Sequence, residues 1–254
     1  MKLEEVIAYM DSWAPEESQE DWDNSGPQIY FKDQDLKGIL VCMDINQAAY
    51  KKAKDLGCNL LISHHPLFFS PIKSLREDSY KGQLVMDLIQ SRIQVYSAHT
   101  NLDKATDGVN HQWLALLKLS QVEKLSEEDG IGLVGQGEWT LEDLDGLFKD
   151  LGFRHVRYYG KKRAYFNRLA ICGGSGADYL EEAKAKGAQV LITGDVKYHQ
   201  GQRAYEEGMT LIDLGHFESE SLILDRISSR LKVAFPHVAI YTHKEADYSF
   251  EIDP

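Results

Sequence analysis

The sequence predicts an α/β protein made of two duplicated halves, and three observations carry that prediction. Shifted by 130 positions, residues 39–65 align without a gap on 169–195. Each copy alternates short apolar runs with helix-forming segments, the order that gives largely parallel sheets. Each copy also places histidine or carboxylate directly after its apolar runs, where α/β sheets bind their ligands. A chain of 254 residues accommodates two modest domains, and 43% hydrophobic residues exclude wholesale disorder.

The elements follow in order. Leu3, Val6, Ile7, Met10 and Trp13 share helical spacing, and Pro15 closes that helix. Trp22-Asp23-Asn24-Ser25-Gly26-Pro27 reads as a turn, with Asp and Asn able to bond local backbone. In the first copy 39–43 is a buried strand, 46–56 a helix stopped by Gly57, and 60–62 a returning strand. A helix over 81–91 and a strand over 93–97 complete it. Residues 120–132 are the expected linker, and Thr140 with Asp143 forms a capping box for a helix that Gly152 ends. The second copy repeats the scheme: strand 169–172, helix 177–186 stopped by Gly187, and strand 190–192. Helix 199–207 and strand 210–213 follow, and Ser219 is the expected N-cap of a helix over 221–231, which places Glu220 in its first turn.

Composition removes several function classes. A net charge of −12 argues against a broad nucleic-acid surface or an anionic-membrane surface, which need clustered Lys and Arg. The longest apolar stretches are far too short to cross a bilayer, and the first residues lack the shape of a signal peptide. Three cysteines without a CxxC pair are expected to be free thiols in a reducing cytoplasm.

The chemistry-bearing residues sit at equivalent places in the two copies. Ser63-His64-His65-Pro66 follows one strand, and the next ends in His99 with Asp103 four residues on. In the second copy Thr193-Gly194-Asp195 occupies the matching place, with His199 nearby, and the later strand leads to His216 with Glu220 four residues on. Imidazole and carboxylate together suit zinc, iron, manganese or nickel. If the chain stayed extended past Ile62, His64 and His65 would point to opposite sides, which two metal ions sharing a carboxylate would accommodate. His111, His155, His237 and His243 have no such placement and read as structural or surface residues. Gly173-Gly174-Ser175-Gly176 is either an anion-cradling turn or a tight strand-to-helix connection; it matches neither a P-loop nor GxGxxG.

These motifs, together with Phe68-Phe69 after His65-Pro66-Leu67 and Gly130-Ile131-Gly132, resemble the Nif-three-like family, often described as GTP cyclohydrolase I type 2 homologues. The resemblance implies two intertwined halves with mixed, largely parallel sheets: 1–125 with the segment 235–254 returning to it, and 126–234. It further implies a toroidal homohexamer and two divalent metal ions per subunit held by His64, His65, Asp103, His216 and Glu220. His99 would lie just outside the ligand set, with Asp195 and His199 as candidates for proton transfer or for orienting ligands. The ending Glu245–Phe250 departs from the Asp-Pro-Phe tail of that family. The expected activity is hydrolysis of a nucleotide or phosphorylated small molecule, including opening of a purine ring in GTP. The alternative is a non-catalytic ring that captures metal or a metabolite.

Overall fold

The computed structural model describes residues 1–244; the departing tail Glu245–Phe250 lies outside them. The chain packs as two units, Met1–Asn101 joined by the segment from Leu224 onward, and Leu102–Ile223.

In the first unit, α1 (Leu3–Trp13) buries Leu3, Val6, Met10 and Trp13, the stripe expected from their spacing. Next come β1 (Gly26–Ile29) and β2 (Gly38–Cys42), followed by α2 (Gln47–Asp55), whose N-cap Asn46 accepts from the Ala49 amide. The order continues with β3 (Leu60–Ser63), α3 (Tyr80–Gln90) and β4 (Gln94–Ser97). Strands β2, β3 and β4 pair in parallel through the two helical crossovers, and β1 adds to β4 antiparallel. Leu40, Leu61 and Val95 pack with Ala49, Leu84 and Leu88 of the covering helices. Every residue of β2, β3 and β4 is buried, as a sheet covered on both faces requires.

The second unit starts within α4 (Thr100–Lys104) and continues with α5 (Gln112–Leu116). Then β5 (Ser120–Lys124) and β6 (Leu133–Thr140) form an antiparallel pair. The expected linker is therefore an edge strand and its turn: β5 is exposed along its whole length, and its polar side chains signalled the exposure but not the pairing. After these, α6 (Leu141–Asp150) is capped by Thr140 as expected, and β7 (Arg157–Gly160) and β8 (Tyr165–Ile171) follow. Then come α7 (Leu180–Ala185), preceded by a 3-10 turn over Ala177–Tyr179, and β9 (Val190–Thr193). The unit closes with α8 (Tyr198–Glu206), β10 (Thr210–Asp213) and α9 (His216–Glu220).

Strands β8, β9 and β10 pair in parallel, the counterpart of β2, β3 and β4, and β7 adds to β10 antiparallel as β1 does to β4. The duplication thus extends two strands beyond the part that the ungapped sequence alignment reached. Alternate residues serve opposite faces: Leu169, Ile171 and Ile192 pack with Trp113 and Phe148, while Ala170 and Leu191 pack with Leu180 and Ala183. Gly57 and Gly187 carry φ of +69° and +77° at the ends of α2 and α7, the left-handed helix stop that both copies were expected to use.

The two copies differ most in length at one connection: the first passes from β3 to α3 through residues 64–79, the second from β9 to α8 through 194–197. After α9 the chain turns at Ser221 into α10 (Leu222–Ala234), and β11 (Ala239–His243) pairs in parallel with β2. Ser219 lies inside α9 rather than capping the next helix, and Glu220 ends α9. The hydroxyl of Ser219 donates to the His216 carbonyl instead. Among the described residues no helix is long and apolar enough to cross a membrane.

All three thiols are free and buried. Burial pushes the Cys58 thiol up to about 11, so it stays protonated and poorly nucleophilic. The native chain at about pH 8 is expected to leave Cys42, Cys58 and Cys172 unmodified by an aromatic disulfide reagent, with all three reacting after denaturation. Rapid labelling of any of them in the native state would contradict this packing.

Candidate metal centre

In the first unit the imidazoles gather beyond the carboxyl ends of β3 and β4. Strand β3 ends at Ser63, whose hydroxyl donates to the His65 carbonyl at 2.7 Å, and the chain bends there. Strand alternation stops with it. The rings of His64 and His65 therefore face one another, with centroids 5.1 Å apart and planes inclined by 44°, not on opposite sides as an extended chain would have them. His99 follows β4, and its ring lies 5.2 Å from that of His64 and 5.6 Å from that of His65. A ring nitrogen of each comes within 4.8 Å of the others. His64 is completely buried.

Each of these rings is anchored through Nδ1. His64 Nδ1 meets the Ala98 carbonyl, His65 Nδ1 meets Asp44 Oδ1, and His99 Nδ1 meets Asp23 Oδ1, each at 2.8 Å. A carbonyl or an ionised carboxylate can only accept, so Nδ1 carries the hydrogen, and in the neutral ring Nε2 then keeps its lone pair.

Asp23 is the most heavily supported of these anchors. Its carboxylate also accepts from the Thr100 amide at 3.0 Å, the Thr100 hydroxyl at 2.5 Å and the Asn24 amide at 2.7 Å. Its side chain is 0% exposed. Burial by itself would raise the carboxyl, but the hydrogen bonds from His99 and Thr100 outweigh it and hold the group well below the usual carboxylate range.

The second unit repeats the device. His216 opens α9 just beyond β10, and its Nδ1 is held by Asp195 Oδ2 at 2.8 Å. Its Nε2 lies 3.4 Å from Oε2 of Glu220, one helical turn on. Asp103 sits on α4, and its carbonyl accepts from Asn110 at 3.2 Å. Burial pushes the Cys172 thiol far up, and the charges of Asp103 and Glu220 push it further.

The glycine-rich turn serves this unit as a connection. Its amides are spent internally: Gly173 on Asn110, Gly174 on the Ser219 hydroxyl and Gly176 on the Thr193 hydroxyl. Three of the turn's four amides are thus occupied by protein groups, which fits the tight-connection reading. Gly174 takes φ of +67°, and a Cβ there would overlap Oε1 of Glu220. His199 stays on α8, with Nδ1 facing Gln202 at 3.4 Å and its ring against Tyr198.

The donor set fits a borderline divalent ion. It combines imidazoles whose Nδ1 is occupied with the buried Glu220 and half-buried Asp103 carboxylates, the pattern of orienting partners that metal-ligating histidines use. Asp44 and Asp23 were not singled out from the sequence as histidine anchors. Asp44 could have been suspected from its place just after β2, and Asp23 only from the turn motif that contains it.

Residues 1–247 match the profile of the Duf34/NIF3 (NGG1p interacting factor 3) family. A Clostridium perfringens protein named GTP cyclohydrolase 1 type 2 homolog is 33% identical, covering 99% of each chain. A Helicobacter pylori protein named GTP cyclohydrolase 1 type 2 is 35% identical over 86% of each. Among solved structures, the Staphylococcus aureus hypothetical protein SA1388 superposes with a TM-score of 0.90 at 26% identity, covering 100% of this chain and 99% of that one.

The anchoring of His99 has a measurable weight and a pH sign. An Asp whose folded pKa is depressed stabilises above its unfolded pKa, about 3.9, and loses that contribution as pH falls toward the folded value. Asp23→Asn is expected to destabilise the chain by about 2 kcal/mol at neutral pH, the order of a charged hydrogen bond. Urea unfolding of both proteins should show the gap holding down to about pH 4 and shrinking below it. A gap that widened in acid would contradict the assignment.

Proposed function

Because the chain belongs to the Duf34/NIF3 family, we propose that it is a metal-dependent hydrolase of a nucleotide or other phosphorylated small molecule, with His64, His65, Asp103, His216 and Glu220 holding two divalent ions. The observation that carries the reading is the common tethering of His64, His65, His99 and His216 through Nδ1, which leaves every Nε2 as a donor. The name GTP cyclohydrolase 1 type 2, borne by relatives, supports opening of a purine ring as the reaction to test first.

Bound divalent ions supply Lewis acidity, polarising the electrophile and offsetting phosphate charge. The protein's own part is orientation and proton handling. Asp44 and Asp195 fix the rings of His65 and His216. Asp23 holds His99 in the tautomer whose Nε2 is basic. In this reading Nε2 of His99 takes the proton from the attacking water and returns it to the leaving atom, so protons balance over the cycle. His199, facing Gln202, takes no part. Assembly into a homohexamer belongs to the same proposal, and sedimentation measures it directly.

Turnover by metal-reconstituted protein against a panel of nucleotides and phosphoesters tests the reading. Glu220→Gln is expected to abolish hydrolysis. His99→Gln should slow it by about 10²–10⁴-fold while metal content by elemental analysis stays unchanged. Saturable binding without product in the parent protein would favour the non-catalytic ring. For the ligand set, Asp44→Asn should weaken divalent-metal affinity about 10–100-fold, read by competition with a chromogenic chelator. Undiminished affinity would remove His65 from the set.

A further inference from the structure

Two aromatic rings stand open beside the histidine cluster of the first unit. Trp22 is 57% exposed and Phe69 58% exposed, although each is a large apolar side chain on an otherwise ordered loop. Their ring centroids lie 5.7 Å apart with planes inclined by 51°. Both meet the edge of His99, Trp22 at 5.9 Å and Phe69 at 6.2 Å. Single exposed aromatics are common and need no explanation. A pair converging on a ring anchored by a buried carboxylate is a different arrangement.

The loops that present the pair are fixed to one another. Asn24, two residues after Trp22, donates from Nδ2 to the Phe68 carbonyl at 2.8 Å and to Gln28 Oε1 at 3.1 Å. The same Gln28 oxygen accepts from the Phe68 amide at 3.2 Å. Asp23 meanwhile ties the Trp22 loop to His99. The loops that carry the two rings are therefore fixed to one another, which lowers the ordering cost of binding. Phe69 also belongs to the long connection 64–79, which the second copy replaces with 194–197. Added loop length in one copy of a duplication is where a specialised function is expected.

We infer that Trp22 and Phe69 form a stacking platform for the planar ring of the substrate, so that the site selects nucleobase-bearing compounds over ring-free phosphoesters. This rests on the hydrolase reading for the word substrate, though the platform itself requires only binding. A flat heterocycle can lie on one ring and meet the other edge-on, the arrangement that aromatic quadrupoles favour. Stacking reads a π-face that every base possesses, so the platform recognises the presence of a base more than its identity.

The test uses metal-reconstituted full-length protein and calorimetric titration with guanosine monophosphate, adenosine monophosphate and ribose 5-phosphate. The two nucleotides should bind within a few-fold of each other, and ribose 5-phosphate about tenfold or more weaker. Trp22→Ala should weaken both nucleotides about tenfold and leave ribose 5-phosphate unchanged, while Trp22→Phe keeps most of the affinity. The exposed position of Trp22 makes folding of these variants testable by thermal melts that match the parent.

Equal affinity for the three ligands, or unchanged nucleotide affinity in Trp22→Ala, overturns the platform. So does a shift in sedimentation of Trp22→Ala with nucleotide affinity intact, which would assign the pair to a contact between copies. Ring-dependent binding with no hydrolysis of any nucleotide would sink the hydrolase reading and leave the platform standing. Hydrolysis that Trp22→Ala does not slow at limiting nucleotide would do the reverse.

Discussion

An imidazole free at both nitrogens is a poorly specified donor: it exchanges tautomers, rotates about two bonds and presents its lone pair in no fixed direction. Occupying Nδ1 removes that freedom at the cost of one acceptor. In this protein the acceptors come from strand ends, namely Ala98 after β4, Asp44 after β2, Asp195 after β9, and Asp23 just ahead of β1. Sheet register therefore decides where each Nε2 points. The parallel order of β2, β3 and β4 brings their carboxyl ends to one edge, and antiparallel β1 delivers Asp23 to that same edge from its amino end.

Burying a carboxylate is costly unless hydrogen bonds and positive charge compensate. Asp23 meets that requirement with protein groups alone, accepting from two backbone amides, a hydroxyl and an imidazole. In the second unit the acids are arranged differently. Asp103 and Glu220 both bear on the buried Cys172 thiol, and Gly174 clears space for Glu220 where any side chain would collide. Like charges gathered in buried surroundings raise each other's energy unless a cation offsets them. A divalent ion held there would offset that repulsion, which supports the metal-dependent reading proposed above.

Much of this was legible in the sequence because periodicity and strand-end placement are local properties. The repeat, the parallel strands, the two glycine helix stops and the histidine-bearing turns followed from residue pattern alone. What could not be read were features set by register or by bends. Polar β5 looked like a linker because an exposed edge strand carries no apolar face to betray it. Ser219 looked like a cap because the break between α9 and α10 falls at Ser221 without glycine or proline. The bend after Ser63, which turns His64 and His65 to the same side, depends on hydrogen bonds of Ser63 Oγ with His65 and Ser97.

Duplication explains why Asp195 was legible as an anchor while Asp44 and Asp23 were not. The 130-residue shift places His65 on Asp195. In the first copy that position carries a ring anchored by Asp44, and in the second it carries the acid that anchors His216. One strand-end position thus supplies a donor in one half and its orienting partner in the other. Comparing the two copies brings out both residues, because the backbone delivers them to the same place, whereas Asp44 and Asp23 have no such counterpart to flag them. The asymmetry also has a chemical sense, because equivalent halves holding identical donors would give two similar sites. Divergence at 65 and 195, with the long connection confined to the first copy, gives one half neighbouring imidazoles and an aromatic edge, and the other a histidine held between exposed Asp195 and buried Glu220.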